Sequence, residues 1–252
     1  MSDQDIARRA LALLDLTDLS ETADDAATRQ LCKKVIGGPV PVAAVCIWPR
    51  FVRTAREALG AGGVRIATVV NFPAGGDDPA PVLADTEEAI AAGADEIDLV
   101  LPWRRFLAGD SAIAAEMVAE TRARCGGTLL KVILETGEYP DTDAIRRAAD
   151  LAIAAGADFI KTSTGKTARS ATPEAVRIML QAIRDCPRPV GLKPSGGIRT
   201  LADAKSYLTL ADEIMGPAWA TPTTFRFGAS GLYDVLAREI AGESGHAGAE
   251  SY

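Results

Sequence analysis

Histidine is almost absent from this 252-residue chain; the one present, His246, lies six residues from the C-terminus in a small, polar tail. Histidine-rich zinc sites, Ser-His-Asp triads and Cys-His nucleophiles each need imidazole at a fixed place, so the body of the chain can hold none of them. Cysteine is sparse too. Cys32, Cys46, Cys125 and Cys186 form no C-x-x-C pair and fall in or beside apolar segments. They read as reduced thiols of a cytoplasmic protein. No apolar run approaches the roughly 20 residues of a membrane span, and the start, MSDQDIARR, has no apolar signal region. A soluble, unexported protein with no membrane partner is expected. Basic side chains are the minority, 27 against 34 acidic, for a net charge of −7. That excludes a general affinity for nucleic acid but leaves room for a local basic pocket.

What the chain does have is alternation. Short β-rich runs recur between helical stretches from residue 40 onward: 42–48, 65–70, 96–101, 129–135, 158–162, 190–193, 212–215 and 225–228. Helical patterns over 79–92, 111–124, 141–155, 172–185 and 201–210 lie between them, which means βαβ units and a parallel sheet. Two further helices, near 5–14 and 23–35, are expected before the first strand. The string Ile90-Ala-Ala-Gly-Ala-Asp95 returns 63 residues later as Ile153-Ala-Ala-Gly-Ala-Asp158, each time closing a helix and opening a strand. That offset spans two βα units of about 30 residues each, with the glycine as a left-handed helix end. Eight units in about 250 residues close most economically into a barrel, which has no sheet edges. A doubly wound open sheet is the alternative, but the glycine fingerprint of its first βα turn is missing. The expectation is α/β: a single (β/α)8 TIM barrel over 1–240 with extra N-terminal helices, and a flexible C-terminal tail over 241–252.

In a barrel, alternate strand residues point inward and the C-terminal strand ends carry the chemistry. Four strands place a charge where an apolar residue is expected: Asp98 in EIDLVL, Lys131 in LLKVILE, Lys161 in DFIKTST and Lys193 in VGLKP. An isolated buried charge is costly, so such groups are paired, pKa-shifted or functional. A single lysine at a strand end could simply reach solvent. Three lysines and an aspartate on four successive strands are better explained by chemistry. Clustered lysines without histidine or metal point to an amine attacking a carbonyl. A lysine attacks only when neutral, and burial beside a second cation lowers its pKa toward neutrality. The resulting imine draws electrons from the substrate, so a C–C bond is made or broken with no cofactor. Asp98 would move protons, directly or through a water.

The same end offers an anion site. Thr162-Ser-Thr-Gly165-Lys166, Ser195-Gly196-Gly197 and Gly228-Ala-Ser230-Gly231 each follow a late strand. Glycine-rich turns at helix starts expose N–H groups that cradle phosphate. The Gly165-Lys166-Thr167 run looks like the end of a P-loop, but Ile160 stands where its first glycine is required.

These segments resemble the deoxyribose-phosphate aldolase family of cofactor-free class I aldolases. The resemblance is carried by LLDLT (13–17), AVCIWPRF (44–51), RIATVVNFPAG (65–75), GADEIDLVLP (93–102), LLKVILETGE (129–138), GADFIKTSTGK (156–166), GLKPSGGIRT (191–200) and RFGASGLYD (226–234). It implies reversible cleavage of 2-deoxy-D-ribose 5-phosphate to D-glyceraldehyde 3-phosphate and acetaldehyde through a lysine Schiff base, in cytoplasmic deoxyribose catabolism. Residue by residue, it implies Lys161 as the Schiff-base lysine, Lys193 as the lysine perturbing it and Asp98 as the proton shuttle. Gly165, Lys166, Gly196, Gly197, Gly228 and Ser230 fall to phosphate binding. Gly231 stands where close relatives often carry a second serine, keeping the N–H but losing a hydroxyl. Lys131 ranks as supporting. Asp15, Thr17 and Cys46 fall in motifs near the pocket, where a helix-end aspartate, its neighbour and a core thiol explain them equally well. Some members end in Ser-Tyr, as this chain does, with a mobile terminal tyrosine in proton transfer, which makes Tyr252 a catalytic expectation. Another class I sugar-phosphate aldolase or transaldolase is the competing reading. A homodimer is compatible with both.

Overall fold

Eight short strands, each followed by helix, wind once around a common axis in the computed structural model, which describes residues 1–243. They are β1 (Leu14–Asp18), β2 (Ala44–Ile47), β3 (Arg65–Val70), β4 (Glu96–Val100), β5 (Leu129–Ile133), β6 (Phe159–Lys161), β7 (Gly191–Lys193) and β8 (Phe227–Ala229). All pairings between named strands are parallel, in the order β7-β6-β5-β4-β3-β2-β1-β8. Leu192 pairs with Phe225 and Ser195 with Gly228, which closes β7 onto β8. The architecture is the expected (β/α)8 barrel.

Two details of the sequence reading are corrected. Leu14–Asp18 is the first strand, separated by Leu13 alone from helix α1 (Asp3–Ala12), whereas residues 5–14 read as one helix. Hence α1 is the one helix before the barrel, and α2 (Asp25–Ile36) is the first crossover. Residues 212–215, read as a strand, are instead the last turn of α9 (Leu201–Met215). Thr200 and Asp203 form a capping box at its start, and Ala204, Tyr207, Leu208 and Ala211 are buried at helical spacing until Gly216 ends it. One missed strand and one false strand cancel. The strands carrying Lys161 and Lys193 are therefore the sixth and seventh.

The remaining crossovers are α3 (Val52–Leu59), α4 (Pro79–Ala91), α5 (Trp103–Leu107) with α6 (Ser111–Cys125), α7 (Thr142–Ala154), α8 (Pro173–Asp185) and α10 (Leu232–Ala241). The internal repeat is structural. Gly93 (φ 105) and Gly156 (φ 108) each turn the chain out of a helix where an L side chain would be strained. Asp95 and Asp158 then each accept a neighbouring strand's N–H, from Ile66 and Leu130 at 2.8 Å, and an arginine, from Arg56 and Arg122. Inside the barrel, Gly191 on β7 exists for Phe159: a Cβ there would lie 2.4 Å from the ring. Among the described residues no helix is long and apolar enough to cross a membrane.

Candidate active site

Strand register brings the charges together. Asp98 lies opposite Lys131, and Lys161 opposite Lys193 on the adjacent strand. Because side chains alternate along a strand, this parity points all four into the barrel. Lys161 and Lys193 each donate to Asp98 Oδ2 at 2.8 Å, and Lys131 donates to Oδ1 at 2.8 Å. Asp98, Lys131 and Lys193 are wholly buried, while Lys161 is 3% exposed.

A second tier underlies this one. Asp15 on β1 lies 2.6 Å from Lys193 Nζ and 2.6 Å from Arg226 Nη1. Glu96, on the same face of β4 as Asp98, holds Lys131 at 2.5 Å and Arg226 Nη2 at 2.8 Å. Asp15 is therefore a buried member of the charge network, where a helix-end role had explained it equally well. Glu96 and Arg226 escaped the sequence reading. The signal was present, since Glu96 sits two residues before Asp98 on one strand face, but a charge at a strand's first residue ordinarily reaches solvent.

The network separates the lysines chemically. Burial pushes Asp98 up, but Lys131, Lys161 and Lys193 outweigh it and hold the carboxyl well below the usual range. Burial likewise favours the neutral amine of Lys193, yet Asp15 and Asp98 overcome this and raise its pKa. Lys161 goes the other way: burial, aided by the Lys193 charge, lowers it despite Asp98. Lys161 is the amine that loses its proton most readily. Cys46, on β2 opposite Thr17, is buried and its thiol is pushed up by burial, so it is a poor nucleophile.

Lys161 opens into a cavity of about 500 Å³ at the C-terminal ends of the strands. Thr17, Gly165, Lys166, Gly196, Gly197, Gly228, Ser230 and Gly231 all line it, together with Asp18 and Arg199, which the sequence reading did not name. Gly231, which lines the cavity, is the N-cap of α10 and has no side-chain cap, so the first N–H groups of that helix lack a side-chain partner. Lys166 Nζ donates to the Leu19 carbonyl at 2.9 Å. Gly228 serves two purposes: a Cβ there would come within 3.0 Å of Lys193 Cε and 2.7 Å of Ser195 Cβ, so the glycine also makes room for the second lysine. Glu135, buried and left-handed (φ 62), accepts from the Thr164 N–H at 3.1 Å and its hydroxyl at 2.6 Å. It thereby ties the loop after β6 to the loop after β5. Tyr252 lies outside the described residues.

A buried lysine cluster opening into a cavity is compatible with aldol chemistry, and comparison with known proteins points to an aldolase. Residues 2–231 match the DeoC/LacD family aldolase model. Over 241 residues the chain is 56% identical to deoxyribose-phosphate aldolase from Agrobacterium fabrum, covering 95% of this chain and 93% of that one. A crystal structure from Toxoplasma gondii ME49, provisionally described as a deoxyribose-phosphate aldolase, superposes with a TM-score of 0.87 at 27% identity, covering 96% of each chain. Deoxyribose phosphate aldolase from Aeropyrum pernix, described as a tetramer, gives 0.73 at 25% identity over 94% of this chain and 92% of that one. With its lysine cluster and its sequence both accounted for, the chain belongs to the DeoC/LacD family of aldolases.

Proposed function

We propose that this aldolase cleaves 2-deoxy-D-ribose 5-phosphate reversibly into D-glyceraldehyde 3-phosphate and acetaldehyde, with Lys161 as the imine-forming amine. The observation that carries the reading is the position of Lys161. It is the one lysine of the cluster that lines the cavity, and burial favours its neutral form. Neutral Lys161 attacks the C1 aldehyde of the open-chain sugar, and water leaves as the protonated imine forms. A proton leaves the C3 hydroxyl, the C2–C3 bond breaks, and its electron pair moves to C2 and the imine nitrogen. Glyceraldehyde 3-phosphate departs and an enamine remains. Protonation at C2 and addition of water then release acetaldehyde and restore the amine.

Asp98 has its oxygens occupied by the amino groups of Lys131, Lys161 and Lys193 before substrate binds. Imine formation turns the Lys161 amine into an iminium with a single N–H, which leaves room for a water beside Oδ2. A water there accepts the hydroxyl proton, which makes Asp98 a relay rather than a stored acid. The phosphate sits against the N–H groups around Gly165, Gly196, Gly197 and Gly231, with Lys166, Arg199 and Ser230 beside them. Tyr252 delivers the proton to C2 from its phenol. Slowed exchange of the acetaldehyde methyl protons in Tyr252→Phe, with imine formation intact, checks that role.

The place of work is the cytoplasm, the chain acts as a homodimer, and neither nucleic acid nor membrane is a partner. Product analysis tests the substrate. The protein should convert deoxyribose 5-phosphate to acetaldehyde and glyceraldehyde 3-phosphate, and run the reverse with acetaldehyde as donor. Transfer of a ketose fragment with no use of acetaldehyde would identify a transaldolase instead.

A further inference from the structure

Among the buried charges without a part in that chemistry, Arg226 and Glu96 form a pair. Arg226, 4% exposed, enters the barrel one residue before β8, and Glu96, 2% exposed, begins β4. Neither lines the cavity. The guanidinium forks across two carboxylates. Nη1 lies 2.6 Å from Asp15 Oδ1 and 3.3 Å from Glu96 Oε2, and Nη2 lies 2.8 Å from Glu96 Oε1. Its Nε donates to the Pro222 carbonyl, which fixes the plane of the fork.

The buried ionic cluster sets Lys131, Lys161, Lys193 and Arg226 against Asp15, Glu96 and Asp98. Glu135 is also buried, but it makes no ion pair among the described residues and spends its oxygens on Thr164 and Thr167. One cation is in surplus. The contacts say which. Lys131 reaches Asp15, Glu96 and Asp98; Lys193 reaches Asp15 and Asp98; Arg226 reaches Asp15 and Glu96. Lys161 alone reaches a single carboxylate, and it shares that oxygen with Lys193. An arginine does not give up its proton. The cluster is therefore neutralised most cheaply by deprotonating Lys161, and because the charges of Arg226 and Glu96 cancel, losing either one alone changes the surplus by one.

We propose that Arg226 and Glu96 are positioning residues of opposite sign that set how readily Lys161 becomes a neutral amine, acting through Asp15, Lys131 and Asp98 without touching substrate. This rests on Lys161 being the imine-forming lysine. The groups facing Lys161 are Cys46 from β2, Asp98 from β4 and Lys193 from β7, with Lys131 from β5 on the other oxygen of Asp98, Asp15 behind on β1, and Asp18, Lys166 and Arg199 at the mouth. All of these stay in place in the variants below. Removing Arg226 leaves cations and anions equal in number, so Lys161 keeps its proton to higher pH. Removing the Glu96 charge enlarges the surplus, so Lys161 loses its proton at lower pH. Removing both restores the original balance. A unit charge several ångströms away in a partly screened interior moves such a pKa by roughly one unit.

The experiment measures imine formation between the protein and acetaldehyde, trapped with cyanoborohydride and mapped by peptide mass, as a function of pH. Wild type, Arg226→Met, Glu96→Gln and the double variant are compared, each checked for native circular dichroism. The rise in trapping should move up by roughly one pH unit in Arg226→Met, down by a similar amount in Glu96→Gln, and return near wild type in the double variant. Arg226→Lys, which keeps the charge but loses the fork, should hold the wild-type midpoint and covers the case of an unfolded methionine variant. Shifts of the same sign in both single variants would overturn the proposal, as would no shift, or an Arg226→Lys midpoint moved away from wild type. In those cases Lys161 would still be labelled. An unlabelled Lys161 in the wild-type chain would overturn the aldolase assignment beneath it as well.

Discussion

Lys161 and Lys193 share one oxygen of Asp98, and what divides their labour is what else each can hold. Lys193 has Asp15 at 2.6 Å, so its charge is kept; Lys161 has no second carboxylate among the described residues. Lys193→Leu should therefore raise the pKa of Lys161, because a nearby cation is lost while Asp98 remains. The acid limb of the activity profile should move to higher pH, with activity at neutral pH falling by at least about tenfold. An unchanged limb in a folded variant would mean that Lys193 acts in some other way. Much of this was legible in the sequence, because Asp98, Lys131, Lys161 and Lys193 interrupt apolar strands. Arg226 was not, because alternation along the expected strand 225–228 reads Phe225 and Phe227 as inward and the arginine between them as outward. Its burial depends on the pairing with Leu192 across the closure, which local sequence does not encode.

At the scale of elements, the site is a set of loops held to rigid strands. The loop after β6 carries Thr164, Gly165 and Lys166 to the cavity, and Glu135 in the next loop holds it through Thr164 and Thr167. Glu135→Ala removes hydrogen bonds to a buried carboxylate, each worth about 1.5–3 kcal/mol. The loop should loosen where it meets phosphate. We expect KM for deoxyribose 5-phosphate to rise about tenfold with kcat less affected, and little change for unphosphorylated deoxyribose; steady-state kinetics on both sugars checks this. Equal losses on the two substrates would move Glu135 from the phosphate loop to the chemistry. The strand errors belong here too. Leu14–Asp18 follows α1 so closely that its apolar residues extend the helical pattern, and Asp212–Met215 looks β-like only when separated from the helix behind it. Neighbouring structure, rather than propensity, decided both.

For the whole molecule, a buried ionic cluster inside the barrel links folding to pH. Asp15 and Asp98 have folded-state pKa values below the unfolded carboxylate, so the stability they add is full above about pH 4 and is lost as pH falls through the folded values. Lys131, Lys193 and Arg226 are raised, so their contribution holds below their unfolded values and is lost only as pH climbs through the folded ones. Lys161 is lowered and opposes them, its cost easing as pH rises toward about 10. The melting temperature should fall steeply below about pH 4 and change little across neutrality, as scanning calorimetry would record. A molecule equally stable at pH 3 and pH 7 would contradict this picture of the cluster. The identity of the nucleophile is the claim on which everything else depends, and one measurement addresses it. Wild-type protein treated with acetaldehyde and borohydride, then digested and mapped, should carry a reduced ethyl adduct on the peptide containing Lys161 and on no other lysine of the cluster. Labelling of Lys193 or Lys131 with Lys161 untouched would contradict it.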